Sequence, residues 1–145
     1  MRSEVTLRAA KSEDLGFLFS LLKVALGPYV EETYGGWREE EQHARFIAGM
    51  RLETHRVIEL AGQPVGCLAV EWSPDQIRLN RVLLLPAIQG RGIGTELVRQ
   101  VLAQARTARL PVRLRVFKVN PAQHLWRRLG FSVVGETETH WIMEY

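Results

Sequence analysis

A short glycine-rich segment, Gln89-Gly90-Arg91-Gly92-Ile93-Gly94, has the clearest capacity for chemistry in this sequence. A hydrophobic stretch precedes it and an amphipathic stretch follows it, which predicts a strand, a loop and a helix in that order. Glycines allow a ligand to approach the bare backbone, and the first N–H groups of a helix are unpaired at the positive end of its dipole. Arg91 adds a fixed positive charge. The segment therefore predicts a loop that binds a phosphate-containing ligand, above all a pyrophosphate.

Other glycine loops have to be weighed against this interpretation. The dinucleotide fingerprint G-x-G-x-x-G requires a glycine at position 95, where this chain has Thr95, and it expects an early βαβ unit. The phosphate loop of nucleotide-hydrolysing proteins requires G-K-[ST], which is absent. A tight glycine turn without any ligand remains an alternative interpretation of the spacing.

Two helices are predicted in the first third of the chain, after an initial strand. Apolar residues recur every three or four positions behind Ser12, a favoured helix N-cap, and Gly27-Pro28 is predicted to end this helix. The segment from Tyr29 to Gly36 lacks periodicity and is predicted to be a loop or a broken helix. The predicted bounds are a strand over Thr6–Ala9, a helix from Ser12 to about Ala25 and a second helix over Trp37–Gly49.

The remaining two thirds begin with three strand-like segments joined by short turns, which predict an antiparallel meander. A helix separates the third of these strands from the next, so these two can run parallel as a βαβ crossover. Asn120 is then the N-cap of a short helix that Gly130 closes. The predicted strands are His55–Leu60, Val65–Trp72, Gln76–Leu85, Pro111–Val119, Phe131–Gly135 and Thr139–Met143, and the predicted helices are Gly92–Ala108 and Pro121–Leu129.

Two ordered motifs resemble the GNAT N-acetyltransferase superfamily. The first is Gln-x-x-Gly-x-Gly, which begins at Gln89 behind the strand residues Val82–Pro86. The second is Asn120-Pro121-Ala122 followed by Leu125–Phe131. The opening residues Leu7–Leu15 also look like the family's N-terminal strand and helix. The resemblance implies a single GNAT-like domain over residues 1–145, of the α/β (α+β) class, with a mixed, mostly antiparallel, splayed central sheet of about seven strands flanked by helices.

The resemblance further implies that acetyl-CoA is the cosubstrate and that it lies in the splay between the strands ending at Leu85 and Val119. The backbone of Leu84 is then the expected oxyanion donor, with Leu83 and Leu85 beside it. Asn120 is expected to reach the pantetheine arm, and its alternative role is that of a helix cap alone. The other residues expected to bind the cofactor are Gln89, Gly90, Arg91, Gly92, Ile93, Gly94, Thr95 and Trp126.

The expected reaction is transfer of an acetyl group from acetyl-CoA to a primary amine of a small molecule, peptide or protein, by direct attack in a ternary complex. Such an amine is mostly protonated at neutral pH, so a base must remove its proton. Glu71 and His140 are the candidate bases, and an ordinary solvated strand position is the alternative for each. The residues expected to bind the acceptor are Tyr29, Glu31, Glu32 and Trp37, of which the two glutamates are otherwise plain surface residues.

Trp126 departs from the family pattern, which often has a tyrosine here to protonate the departing CoA thiolate. An indole N–H cannot supply that proton, so Trp126 has packing in its helix as an alternative role. The thiolate then leaves unassisted, or water, Tyr29 or Tyr145 protonates it. This departure motivates an alternative function, a non-catalytic acetyl-CoA-binding GNAT-like module that acts as a sensor or interaction module.

Composition bounds the remaining possibilities. The chain has 145 residues, of which 46% are hydrophobic, and it lacks the ~20 consecutive apolar residues of a membrane span, so we expect a cytoplasmic protein without membrane association. Its single cysteine, Cys67, fits a reducing compartment. The four histidines lack metal-ligand spacing, so no metal is expected. The net charge is +3, and the arginines are dispersed without interleaved aromatic residues, so nucleic acid is not an expected partner. A monomer or a homodimer is expected.

Overall fold

The computed structural model describes residues 4–145 and shows seven strands in one sheet, in the order β1-β2-β3-β4-β5-β7-β6. The strands are β1 (Val5–Ala9), β2 (His55–Leu60), β3 (Gln63–Trp72), β4 (Ile77–Leu84), β5 (Val112–Phe117), β6 (Ser132–Glu136) and β7 (His140–Glu144). The helices are α1 (Leu15–Tyr34), α2 (Glu39–Gly49), α3 (Ile93–Ala108) and α4 (Ala122–Arg128). Short 3₁₀ turns cover Ser12–Asp14, Leu52–Thr54 and Pro86–Ile88. This mixed sheet with flanking helices confirms the predicted fold class.

The described residues divide into two compact units. The first contains residues 4–69 together with Arg81–Gly94, and the second contains Val70–Asn80 together with Thr95–Tyr145. In the first unit, β1 pairs with β2 and β2 with β3, both antiparallel, and the register between β2 and β3 shifts between Ile58 and Glu59. The predicted meander is therefore present. A single domain over residues 1–145 stays a prediction.

The core of the first unit lies between α1, α2 and one face of the sheet. Apolar side chains at helical spacing on α1 supply one side, as the sequence periodicity predicts. Cys67 of β3 is 1% exposed within this core, and burial raises the pKa of its thiol to about 11, so it remains a protonated packing residue at neutral pH. The buried residues of the core are Leu18, Phe19, Leu21, Phe46, Cys67 and Leu83.

Helix α1 is longer than predicted. It continues through Pro28 to Tyr34, so the prediction that Gly27-Pro28 ends the helix was wrong, as was the loop or broken helix predicted from Tyr29. Pro28 is exposed, whereas Gly27 and Val30 on the inner side are buried. Proline leaves the Val24 carbonyl without its helical partner, but Val24 and Pro28 are both exposed. Since the apolar stripe continues beyond Pro28, packing overrides the local preference. The helix ends at Gly35, whose φ of 84° is left-handed and whose N–H donates to Glu31 O at 2.8 Å.

The N-terminal cap of this region also differs from the prediction. Ser12 begins a 3₁₀ turn, and the capping carboxylate belongs to Asp14, which accepts from the Lys11 N–H at 2.8 Å. The Arg8 guanidinium donates to both oxygens of Asp14, at 2.8 and 2.9 Å, and holds the pKa of that carboxyl down to about 2. An ion pair therefore connects β1 to the start of α1.

In the second unit, β4 and β5 run parallel, with Ile77 opposite Val112 and Arg78 opposite Arg113. This pairing confirms the predicted βαβ crossover through α3. Strand β7 pairs antiparallel with both β5 and β6. The predicted strand Pro111–Val119 is shorter than expected because Lys118 and Val119 form a turn before Asn120. The inner stripe of α3 is buried as predicted, at Ile93, Leu97, Val98, Val101, Leu102 and Ala105.

Candidate functional site

The glycine-rich segment forms the exposed loop between β4 and α3 that the sequence predicts. Gly90 and Gly92 have φ values of 81° and 79°, in the left-handed region where a side chain is strained. Gly90 is also open, since a Cβ there would meet no atom within 4 Å. Arg91, between these two glycines, is exposed. The loop therefore presents backbone and one cationic side chain to solvent, directly before the first turn of a 16-residue helix.

The loop is tied to the end of β4 by hydrogen bonds. The Gln89 side chain donates through Nε2 to the Leu84 carbonyl at 3.0 Å. The Ile88 N–H donates to the Leu85 carbonyl at 2.8 Å, within the 3₁₀ turn Pro86–Ile88. These bonds fix the loop relative to the strand residue that was expected to donate to the oxyanion. Gln89 is therefore a positioning residue for the loop.

Gly94 serves a different purpose from the two left-handed glycines. It is buried at the start of α3, and a Cβ there would lie 3.5 Å from Leu84 Cδ1 and 3.6 Å from Val82 Cγ1. The start of α3 therefore lies close to β4, with room for one methyl group between Gly94 and these two side chains. This packing places the first N–H groups of α3 beside the strand that carries Leu84.

Gly66 of β3 is part of this arrangement and was missed by the sequence reasoning. A Cβ at Gly66 would overlap the backbone carbonyl oxygen of Leu83 and would lie 2.7 Å from Leu84 Cδ2. The neighbouring Val65 carbonyl accepts from the Leu85 N–H at 2.8 Å. Only glycine allows β3 and β4 to approach so closely at Leu83 and Leu84. An isolated glycine inside a strand pattern was the signal that could have identified it.

Asn120 combines the cap role with an available donor. It is 9% exposed, and its Oδ1 accepts from the Ala122 N–H at 2.8 Å at the start of α4. Its amide nitrogen has no hydrogen-bond partner among residues 4–145 and keeps some exposure to solvent. The two interpretations of Asn120 are therefore compatible, because the cap uses the oxygen and leaves the N–H groups for a ligand.

Trp126 lies inside the second unit. It is 8% exposed and packs against Phe131 edge to face, with ring centroids 5.8 Å apart. Tyr145, one candidate thiolate acid, accepts at its hydroxyl from Arg106 Nη1 at 2.5 Å. The other, Tyr29, is half-buried on α1. The packing supports the structural interpretation of the tryptophan.

The two candidate bases have different surroundings. Glu71 is half-buried on β3, and its carboxylate accepts from Asn80 Nδ2 at 3.3 Å. His140 begins β7, its Nδ1 lies 2.7 Å from Thr139 Oγ1, and its ring lies 4.2 Å from the Phe117 ring, centroid to centroid. Burial, and then the charge of Arg115, lower the pKa of His140 from 6.5. Within residues 4–145 its Nε2 has no partner, so His140 presents a neutral imidazole with one nitrogen available.

The residues expected to bind the acceptor lie in and beyond the last turns of α1. Glu31 and Glu32 are exposed residues of that helix, whereas a loop or a broken helix was predicted there. Trp37 is half-buried: its ring centroid lies 6.1 Å from that of Phe19, and its Nε1 donates to Glu39 at 2.8 Å. The helix therefore fixes the positions of Glu31 and Glu32, and packing against Phe19 fixes that of Trp37.

No three metal-ligating side chains come together anywhere in the described part of the chain. Over residues 4–145, no helix has the length and apolar character needed to cross a bilayer.

Comparisons with solved structures show the same fold. The PaiA N-acetyltransferase of Thermoplasma acidophilum, in complex with coenzyme A, superposes with a TM-score of 0.74 at 18% identity over 97% of each chain. An acetyltransferase from Thermus thermophilus gives 0.75 at 18% identity, over 97% of this chain and 96% of that one. Arabidopsis thaliana Naa50, in complex with the bisubstrate analogue CoA-Ac-MVNAL, gives 0.68 at 18% identity over 98% of both.

Sequence comparison with curated proteins gives no match. A family model does match, and it is the one for the acetyltransferase (GNAT) family, over residues 21–131. That range contains both ordered motifs of the sequence resemblance, the glycine loop with its strand and the Asn120 motif, whereas Leu7–Leu15 lies before it. The chain therefore belongs to the GNAT acetyltransferase family.

Proposed function

We propose that this protein transfers an acetyl group from acetyl-CoA to a primary amine of a small molecule or peptide, by direct attack in a ternary complex. The observation that carries the proposal is the loop at Gly90 and Gly92, which the Gln89 side chain ties to the Leu84 carbonyl beside the start of α3. A pyrophosphate suits this loop because exposed backbone, the positive end of a helix dipole and Arg91 meet there.

Acetyl transfer forms a C–N bond and breaks a C–S bond. The amine nitrogen attacks the thioester carbon and loses a proton to the base, while the carbonyl oxygen becomes an oxyanion. The carbonyl then re-forms as the C–S bond breaks and releases the CoA thiolate. The Leu84 backbone N–H stabilises the oxyanion, since a fixed donor aimed at developing charge lowers the barrier. Asn120 donates through its amide nitrogen to the pantetheine arm. Water or a tyrosine hydroxyl protonates the thiolate.

His140 is the preferred base for the acceptor amine. Its lowered pKa keeps it neutral at pH 7. In the tautomer whose Nδ1–H donates to Thr139 Oγ1, Nε2 carries the lone pair and has no partner among residues 4–145. The Glu71 carboxylate already accepts from Asn80 and is the second candidate. Because a base works only when unprotonated, activity should fall as the pH drops through the pKa of His140, on the acid side of 6.5.

His140→Gln is expected to lower kcat/KM at neutral pH by about 10²–10⁴-fold, the usual contribution of a general base. It should also remove the acid limb of the pH profile while acetyl-CoA affinity is retained. The measurement is kcat/KM by thiol release over the range from acid to mildly alkaline pH, with Glu71→Gln as the matched variant. Near-normal turnover of His140→Gln with the acid limb in place would show that His140 is not the base.

Trp126→Phe is expected to leave kcat unchanged, because the indole N–H supplies no proton and a phenyl ring preserves the contact with Phe131. Trp126→Ala, in contrast, should lower the free energy of unfolding by about 3–5 kcal/mol, the usual cost of emptying a buried aromatic site. Steady-state kinetics and thermal melts measure both effects. A large loss of kcat in a stable Trp126→Phe would assign a chemical role to the indole.

Calorimetric titration with acetyl-CoA, followed by a thiol-release assay on a panel of amines, tests the proposed function. Binding with turnover on at least one amine is the expected result. Binding without turnover on any amine would instead support a non-catalytic acetyl-CoA-binding module, which the buried Trp126 at the position of the usual tyrosine favours. Failure to bind acetyl-CoA would overturn both functions.

A further inference from the structure

Arg81 of β4 is a half-buried cation that the proposed reaction does not use. Its Nη1 donates to His55 Nε2 at 3.2 Å, and its guanidinium carbon lies 5.5 Å from the centroid of the Phe46 ring. Burial lowers the pKa of Arg81 from its ordinary value, although the group remains charged at neutral pH. The guanidinium is thus held between β2 and α2 in a partly desolvated position.

His55 is set up to hold this guanidinium in place. It is 7% exposed, and its Nδ1 lies 2.9 Å from the Arg51 carbonyl oxygen, which requires the proton to be on Nδ1. Nε2 is therefore an acceptor that faces Arg81. Burial keeps the pKa of His55 below 6.5, so the neutral form persists at pH 7. The Arg81 side chain is fixed by a neutral acceptor and an aromatic ring instead of by an anion.

A carboxylate partner is missing from this cluster. Throughout residues 4–145, Arg81 forms no ion pair, whereas Arg8 on β1 pairs with both Asp14 and Glu59. Arg81 is only half-buried, and its remaining guanidinium nitrogens keep some exposure to solvent. Removing a cation from water is costly unless it is paired, and an anionic ligand would offset that cost.

Arg81 lies on the face of β4 that α1 and α2 cover. It shares this face with Leu83, which packs in the core formed by those helices, whereas the Val82 and Leu84 side chains face the start of α3. Side chains two residues apart on a strand share a face, so the Arg81 side chain lies on the opposite face of β4 from those of Val82 and Leu84. Arg81 is three residues before Leu84, which spans roughly 10 Å along a strand.

We propose that Arg81 binds a carboxylate of the acceptor, so that the acceptor is an amino acid or short peptide whose amine and carboxylate are separated by several bonds. The inference rests on the proposed function, because it places the amine near the Leu84 backbone while the carboxylate lies on the guanidinium. A guanidinium pairs with a planar carboxylate through two parallel N–H donors, which a neutral ester cannot match.

The test compares acceptors that differ only in the carboxylate. Glycine, β-alanine, γ-aminobutyrate, ε-aminocaproate and glycylglycine are assayed against their methyl esters by thiol release at saturating acetyl-CoA. For the wild type, kcat/KM should be higher for at least one acid than for its ester. Arg81→Gln should lower kcat/KM for that acid by about tenfold or more, through KM, and leave the ester unchanged.

Arg78→Gln is the matched control, since Arg78 lies on the same strand, is exposed and points to the opposite face. It removes the same charge and should change kcat/KM for neither the acid nor the ester. Arg81→Lys keeps the charge and should recover part of the acid preference, which also covers the case that Arg81→Gln does not fold. Equal losses for acid and ester in the Arg81 variants, or a wild type that prefers no acid, would overturn the inference. If the wild type acetylates no amine at all, the proposed function itself fails.

Discussion

Replacing Gly66 with alanine is expected to lower stability and acetyl-CoA affinity together. The added Cβ would overlap the Leu83 carbonyl oxygen and approach Leu84 Cδ2 to 2.7 Å. One of these contacts is backbone, so β3 and β4 must move apart where Leu84 is expected to donate to the oxyanion. Overpacking of this kind costs about 1–3 kcal/mol. We expect the free energy of unfolding to fall by that amount, and both acetyl-CoA affinity and kcat to fall with it.

Urea unfolding, calorimetric titration with acetyl-CoA and steady-state kinetics measure the three effects of Gly66→Ala. Gly16→Ala is the matched control, because a Cβ at Gly16 in α1 meets no atom within 4 Å. Alanine in a helix is more favourable than glycine, so this control should be neutral or stabilising by up to about 1 kcal/mol. A Gly66→Ala protein with wild-type affinity and turnover would show that the close approach of the strands is not needed for function.

Gly92→Val is expected to weaken acetyl-CoA binding with little change in stability. Gly92 has a φ of 79°, and a β-branched residue is a true outlier in that region. Holding an L-residue in the left-handed conformation costs about 1–2 kcal/mol, so the loop should leave the conformation that exposes its backbone. The loss corresponds to about a tenfold higher Kd, and blocked access to the backbone adds to it.

Calorimetric titration gives the Kd for Gly92→Val, and a thermal melt gives its stability. Gly36→Val is the control, since Gly36 is exposed between α1 and α2, has no positive φ and has no atom within 4 Å of an added Cβ. It should bind acetyl-CoA like the wild type. Unchanged affinity in Gly92→Val would remove the glycine loop from the cofactor site, whatever the activity on amines.

Periodicity allowed most of the fold to be predicted. The buried stripe of α3 and the strand over His55–Leu60 follow from local patterns that the structure preserves. Helix α1 shows where such patterns fail, because Gly27-Pro28 is a strong local stop signal. Gly27 is nevertheless buried, and a Cβ added there would lie 3.8 Å from the Trp37 ring. Tertiary packing decided that boundary, and a sequence window cannot include it.

The candidate site also contains residues that local sequence predicts and residues that it does not. The loop glycines could be predicted because strand, loop and helix follow one another in the chain. Gly66 could not be assigned its role, because the Leu83 carbonyl that it accommodates is on another strand. Arg81 was also overlooked, since among 16 arginines nothing local distinguishes the one that meets His55 and Phe46. These roles depend on contacts between residues that are distant in sequence.

Pro28 also weakens the backbone hydrogen bonding of the last part of α1. Proline has no amide hydrogen, so the backbone bond from residue 28 to the Val24 carbonyl cannot form. The turn that follows is closed separately, by the Gly35 N–H on the Glu31 carbonyl. Unwinding of residues 28–34 therefore breaks one backbone hydrogen bond fewer than it would in an uninterrupted helix, which lowers the free energy of local opening at this end of α1. Tyr29, Glu31 and Glu32 lie on this part of α1.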